Sequence, residues 1–218
     1  MRVVIAGGHG KIAQRLARLL VARDDLPVAL VRNPDHVEDL RALDAEPVLC
    51  DLEAADVDEV AGHLAEADAV VFAAGAGPGS GAARKETVDR AAAVLLADAA
   101  ERAGVRRYLQ VSAMGLDRGD QPGMDPVFAA YLRAKRAAED DLRGRDLDWT
   151  ILRPGRLTDE QGTGRVLLGP HVPAGAVSRD DVAAVLLALL DEPRTAGLTP
   201  ELVAGDRPVA EAVADLLR

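Results

Sequence analysis

The chain has 218 residues, 49% hydrophobic and 2% aromatic, with a formal net charge of -10 at pH 7 and a single cysteine. That length suits one domain whose core is built from Ala, Val and Leu without covalent staples. The acidic balance excludes non-specific binding to nucleic acid or anionic membrane, one cysteine excludes an internal disulfide or a cysteine-based metal cluster, and no apolar run approaches a membrane span. The expectation is a soluble cytoplasmic protein without a leader, monomer or homodimer, that takes a small-molecule substrate.

Residues 2–6 form an apolar strand running into Gly7-Gly8-His9-Gly10-Lys11-Ile12-Ala13 at the head of an amphipathic helix over 11–23. The spacing Gly7-x-x-Gly10-x-x-Ala13 is that of a dinucleotide-binding turn. Gly7 turns the chain at the strand end, Gly10 lets backbone approach a pyrophosphate, and Ala13 lets the helix pack on the first strand. The anion would sit at the helix N-terminus, among Gly8, His9, Lys11 and Ile12, where free N–H groups and the dipole favour negative charge. His9 faces either that phosphate or water.

The second strand, 27–31, ends in Arg32-Asn33-Pro34, with no acid until Asp35. An acid there would select NAD through the ribose hydroxyls, whereas a guanidinium suits the 2′-phosphate of NADP. NADP is therefore expected over NAD. A helix over 34–44 and a strand over 46–50 follow, with Cys50 read as a small buried hydrophobe. Asp51-Leu52 either meets the adenine edge or, through Asp51, caps a turn.

A helix over 56–65 leads to a strand over 68–74, and Ala73-Ala74-Gly75 opens the run Gly75-Ala76-Gly77-Pro78-Gly79-Ser80-Gly81. That run either borders the ligand closely or is an exposed flexible loop. A helix over 84–103 and a fifth strand over 105–111 bring the chain to Ser112-Ala113-Met114-Gly115, and a helix over 125–143 carries Tyr131 and Lys135. The i, i+4 spacing puts both side chains on one helix face. An ammonium beside the phenol, together with a positive nicotinamide ring, favours the phenolate and would lower the tyrosine pKa. Lys135 can also bond the nicotinamide ribose. Ligands of open α/β sheets bind beyond the carboxyl ends of strands, so Ser112 should lie near the Tyr131 hydroxyl, either orienting a substrate carbonyl or capping its loop.

The sixth strand, 148–152, carries Trp149 as a core or helix-packing residue and is followed by a Gly-rich loop over 155–164. Its segment Thr158–Gly164 is either a flap over the substrate or an exposed turn. A short run at 165–169, a helix over 178–191, a strand-like stretch near 199–204 and a helix over 208–218 complete the chain. Asp180-Asp181 reads as a first-turn acidic pair complementing the helix dipole. His36, His63 and His171 show no metal-ligand spacing with acids, so no metal is expected. Nucleophile-elbow and Walker patterns are absent, which removes hydrolase and nucleotide-triphosphatase readings. The alternation of strands and helices implies an α/β fold with a doubly wound parallel sheet, one domain over 1–218 with a short C-terminal appendage.

These segments together resemble an atypical short-chain dehydrogenase/reductase of the NAD(P)H-binding type, related to NmrA-like and biliverdin-reductase-B-like proteins. The resemblance rests on the glycine turn, Arg32-Asn33-Pro34, Phe72-Ala73-Ala74-Gly75-Ala76-Gly77, Val111-Ser112-Ala113-Met114-Gly115, Tyr131-x-x-x-Lys135 and Trp149-Thr150-Ile151-Leu152-Arg153-Pro154-Gly155-Arg156-Leu157-Thr158. It implies a Rossmann-type three-layer αβα fold, NADP binding, a Ser112/Tyr131/Lys135 reaction centre, and Pro154 and Gly155 beside the nicotinamide. Two departures stand out. Ser112 and Tyr131 are nineteen residues apart, and the helix over 84–103 holds no asparagine to complete the usual proton relay. The expected activity is hydride transfer between NADP and a small carbonyl or quinone-like substrate. With so few aromatics no stacking surface is evident, so a non-catalytic NADP(H)-binding sensor is the alternative, and a sugar-nucleotide epimerase or dehydratase the third.

Overall fold

The computed structural model describes residues 1–77 and 79–218; Pro78, which sequence reading puts in the loop after the fourth strand, lies outside the described residues. The apolar runs are strands because both their faces are covered. In β1 (Arg2–Ala6), Val3 and Ile5 enter one core while Val4 and Ala6 enter the other, the period-2 alternation of a pleated strand. The same holds across β2 (Leu26–Val31), β4 (Ala69–Phe72), β5 (Arg107–Val111) and the longer β6 (Asp148–Pro154). With β3 (Glu46–Leu49) these pair in parallel in the order β3-β2-β1-β4-β5-β6. The C-terminal segments extend this sheet: β10 (Glu201–Ala204) runs parallel to β6, and β8 (Arg165–Gly169) is antiparallel to both β10 and β11 (Arg207–Pro208). A separate parallel pair joins β7 (Arg156–Thr158) to β9 (Ala176–Ser178).

Helices cover both faces. One core packs beneath α1 (Lys11–Val21), α7 (Arg179–Leu190) and α8 (Val209–Asp215); the other lies beneath α3 (Val57–His63), α5 (Ala92–Ala103) and α6 (Pro126–Arg143). The strand order reverses at β1, so a crevice opens above the carboxyl ends of β1 and β4.

Two helices depart from expectation. The stretch over 34–44 is a 3-10 turn, Pro34–His36, followed by a short α2 (Val37–Arg41). The Asn33 side chain accepts the Asp35 amide to start it, and Asp44 at φ 56 ends it. The stretch over 84–103 begins as α4 (Ala82–Arg84), widens into a π turn over Lys85–Ala91, and only then becomes α5. π turns favour functional sites because they re-aim side chains, and this one buries Lys85, Val88 and Asp89.

Gly7 shows how tightly the crevice is built. Its φ is +76, and a Cβ there would lie 2.6 Å from the Ala74 Cα, while a Cβ on Gly8 would lie 2.5 Å from that of Ala29. Gly7→Ala combines left-handed strain with a backbone clash and should cost at least about 2 kcal/mol. Urea denaturation measures this, and an unchanged midpoint would mean that the turn yields freely.

Candidate active site

The crevice consists of two adjoining hollows that share Ala73, Ala74 and Gly75 at the end of β4. The outer one, about 360 Å³, is lined by Gly7, His9 and Gly10, by Arg32 and His36, by Cys50, Asp51, Leu52 and Glu53, and by Arg84. Gly10 precedes α1 without a side-chain cap, and the first turn of the helix holds no acid. Its N-terminal amides therefore present positive dipole to the crevice. Gly8 is buried against β2, with its amide on the Leu30 carbonyl at 3.0 Å. Lys11 points away, its Nζ donating to Asp159 at 2.6 Å. His9 stacks on His36 at 3.6 Å between centroids and meets Asp39 at 2.9 Å through Nε2. Asp51 lines the hollow and also closes a turn by accepting the Glu53 amide at 3.0 Å.

Arg32 is engaged in a way that its sequence position does not announce. Its Nη1 donates to Glu53 at 2.8 Å, and the same carboxylate receives Arg84 at 2.7 Å and the Thr87 hydroxyl at 2.6 Å. The Thr87 hydroxyl foremost, then Arg84 and Arg32, hold Glu53 below the usual carboxylate range despite partial burial. Glu53 uses only Nη1 of Arg32, so an incoming 2′-phosphate would meet the remaining guanidinium N–H groups beside that carboxylate's charge. Sequence reading missed Glu53 because the residues it joins lie on two other segments, Arg32 after β2 and Arg84 with Thr87 on the helical stretch beyond β4.

The inner hollow, about 450 Å³, collects Ile12, Ser112, Tyr131, Lys135, Lys85, Asp89, Phe128 and Leu157. Lys135 is buried, with Nζ 3.4 Å from Asp89 Oδ1, 3.2 Å from the Val111 carbonyl and 3.4 Å from that of Ala74. Two of its N–H groups thus have backbone carbonyl acceptors and its charge faces the Asp89 carboxylate, tying α6 to the ends of β4 and β5 and to the π turn. Asp89 also accepts the Ala76 amide at 3.2 Å. Burial lowers the Lys135 pKa and Asp89 opposes that shift. The expected lowering of the Tyr131 pKa is not what the structure carries. Burial foremost, then the Asp89 charge, push the phenol above its ordinary value, so it holds its proton.

Ser112 enters the same hollow, but its hydroxyl donates to Glu139 Oε1 at 2.5 Å. Glu139 is fully buried, one turn beyond Lys135 on α6, and is held by Arg153 at 2.9 and 2.5 Å and by Arg143 at 2.7 Å. With its single proton committed, Ser112 can accept a hydrogen bond but cannot donate one to a carbonyl, contrary to the orienting role expected of it. Pro154 is buried at the end of β6, its carbonyl taking the Met114 amide at 3.1 Å, and lines neither hollow; Leu157 of β7 does. Residues 162–164 are pinned, with their amides on Asp180 and Asp181, so the two acids fasten a loop as well as opening α7, and the segment is not a free flap.

The aromatic residues are few but concentrated. Phe128 is 45% exposed and stacks on Tyr131 at 5.9 Å, giving the inner hollow the flat surface that composition alone did not suggest. Sequence reading also passed over a second grouping, Cys50 with Glu59 and His63, whose ligand atoms lie within 4.8 Å of one another beside the outer hollow. The Cys50 thiol is pushed up to about 11, by burial first and then by Glu59 and Asp51, so it keeps its proton near neutrality.

A family model described as NAD(P)H-binding matches residues 7–193. The chain belongs to this NAD(P)H-binding family. It is 36% identical to the "Uncharacterized sugar epimerase YhfK" of Bacillus subtilis, over 99% of this chain and 100% of that one. A solved structure from Bacillus halodurans, assigned by name only to the NAD-dependent epimerase/dehydratases, superposes with a TM-score of 0.92 at 39% identity, covering 99% of this chain and 100% of the other. The anaerobillin reductase ChuY of Escherichia coli O157:H7 is similar at a TM-score of 0.77 and 26% identity, covering 94% and 98%. This NAD(P)H-binding chain therefore has a Rossmann-type αβα fold among atypical reductase-like neighbours, and among its described residues no helix is long and apolar enough to cross a membrane. The residues present fit such a cofactor: Gly7 and Gly10 bring bare backbone to the crevice at the head of α1, and two cations, Arg32 and Arg84, edge the outer hollow.

Proposed function

We propose that the chain is an NADP-dependent oxidoreductase acting on a small carbonyl or quinone-like substrate in the inner hollow. The observation that carries this reading is the shared wall Ala73–Gly75, which makes one continuous trough from the glycine turn to Tyr131. Gly7, Gly10 and the first amides of α1 would hold the pyrophosphate, and Arg32 the 2′-phosphate. A reduced nicotinamide, when bound, supplies hydride. Tyr131 holds a proton that it can give to the oxygen of the carbonyl being reduced, and water then restores the phenol. Lys135 anchors the floor of the site and places a positive charge beneath that phenolate as it forms.

The test is NADPH consumption across a panel of carbonyls and quinones, with consumption expected for at least one. Tight NADPH binding with none consumed would overturn the enzyme in favour of a cofactor-sensing module. That second reading draws support from the internal commitment of the Ser112 proton and from the engagement of Lys135 by two backbone carbonyls and the Asp89 carboxylate. Against an epimerase acting on a sugar nucleotide, β8, β10 and β11 join the main sheet, and among the described residues only the two-stranded β7–β9 pair stands apart from it.

For cofactor choice, Arg32→Ala removes a charge-assisted contact to the 2′-phosphate and should weaken NADPH binding by about 10- to 100-fold, with NADH little changed. Calorimetric titration with both cofactors measures this, and equal losses would refute the role of Arg32.

A further inference from the structure

Beyond Tyr131 and Lys135, the inner hollow holds one charge that neither the fold nor the proposed chemistry uses. Lys85, on the π turn, is only 7% exposed. Its Nζ donates to the Gly77 carbonyl at 2.9 Å and lies 5.4 Å from the centre of the Tyr131 ring. Among the described residues no carboxylate lies within ion-pairing distance of it. The nearby buried acid, Asp89, is already paired with Lys135, itself 4% exposed. Asp125, at the mouth, is exposed and spends Oδ1 on the Phe128 amide at 2.8 Å as the cap of α6. The interior of the hollow thus contains two ammonium groups and one carboxylate. Burying a charge without a carboxylate partner is costly, and Lys85, which lines the cavity, makes one hydrogen bond, to Gly77, with the other two donors of its ammonium left over.

Resting on the reading of this hollow as the substrate site, we propose that the substrate is an acid, and that Lys85 binds its carboxylate or phosphate. The ammonium beside the Tyr131 ring places that oxyanion near the aromatic pair, so the planar part of the substrate would lie along Phe128 and Tyr131, with Val127 and Leu157 as apolar walls. An oxyanion here would supply the charge that the protein withholds, and its hydrogen bonds with Lys85 would be charge-assisted on both sides.

The probes are benzoate and phenyl phosphate as inert ligands, and para-carboxybenzaldehyde with its methyl ester as a carbonyl pair differing by one charge. Binding is measured by calorimetry on the NADP-loaded protein, so the readout needs no turnover. The free acid should bind at least about tenfold more tightly than the ester. Lys85→Met should abolish that preference, and Lys85→Arg, which keeps the charge, should restore most of it. Benzoate and phenyl phosphate, compared on the same protein, tell whether the site takes a planar carboxylate or a tetrahedral phosphate. Equal binding of acid and ester to the unaltered protein would overturn the proposal without any variant. So would a Lys85→Met protein that loses NADPH affinity while keeping the acid preference, since Lys85 would then serve the cofactor. Acid-selective binding without NADPH consumption leaves this inference standing and removes the oxidoreductase; consumption indifferent to substrate charge does the reverse.

Discussion

Tyr131→Phe is expected to lower kcat by about a hundredfold to ten-thousandfold, the range for loss of a positioned proton donor, with NADPH affinity and Tm unchanged. Phenylalanine keeps the ring that stacks on Phe128 and sits beside Lys85, so only the hydroxyl is lost. The pH profile adds a second constraint. Because burial and Asp89 raise the phenol above its ordinary value, the protonated form that reduction requires persists throughout the neutral range. The reduction rate should therefore stay level there and fall only above about pH 10, the unperturbed tyrosine value. A full-rate Tyr131→Phe enzyme would remove Tyr131 from the chemistry, and a fall centred near neutrality would assign the proton to another group.

Asp89→Ala should be the most damaging single change to stability, costing about 3–5 kcal/mol, because it strands the buried Lys135 ammonium. Asp89 is 0% exposed, and its two carboxylate oxygens serve Lys135 and the Ala76 amide. The loss should be largely recovered in the double variant Asp89→Ala/Lys135→Met, where no charge remains to strand. Urea denaturation of the two single variants and the double variant completes the cycle. A loss below about 1 kcal/mol for Asp89→Ala would mean that water reaches Lys135, and the pair would then be a surface contact in energetic terms.

Much of this molecule is legible in its sequence. The parallel strands, the glycine turn and the position of the C-terminal segments on the same sheet follow from hydrophobic runs and from small residues at fixed offsets, signals that are local along the chain. Tyr131 and Lys135 were placed on one helix face by a spacing rule, and the structure brings both into the inner hollow with Ser112. The groups that qualify their roles were not legible. Glu139 accepts the Ser112 hydroxyl's hydrogen bond across 27 positions, and Glu53 accepts that of Arg32 across 21. Neither contact has a spacing rule, since each joins residues on different elements.

The π turn is the clearest case. Its residues read as ordinary helix, because one extra residue per turn leaves no mark on composition and barely disturbs the hydrophobic period. Yet that turn is what buries both Lys85 and Asp89 at the hollow. By itself the sequence determined a doubly wound sheet with a dinucleotide turn at its first crossover, since strand, turn and helix are each specified by neighbours a few residues apart. Only the tertiary structure decided the charge balance of the site: which cation Asp89 neutralises, which one Glu53 occupies, and that Lys85 is left over. The physical reason is that burial and pairing energies depend on distance in space, and the acids that matter approach their partners from other segments of the chain.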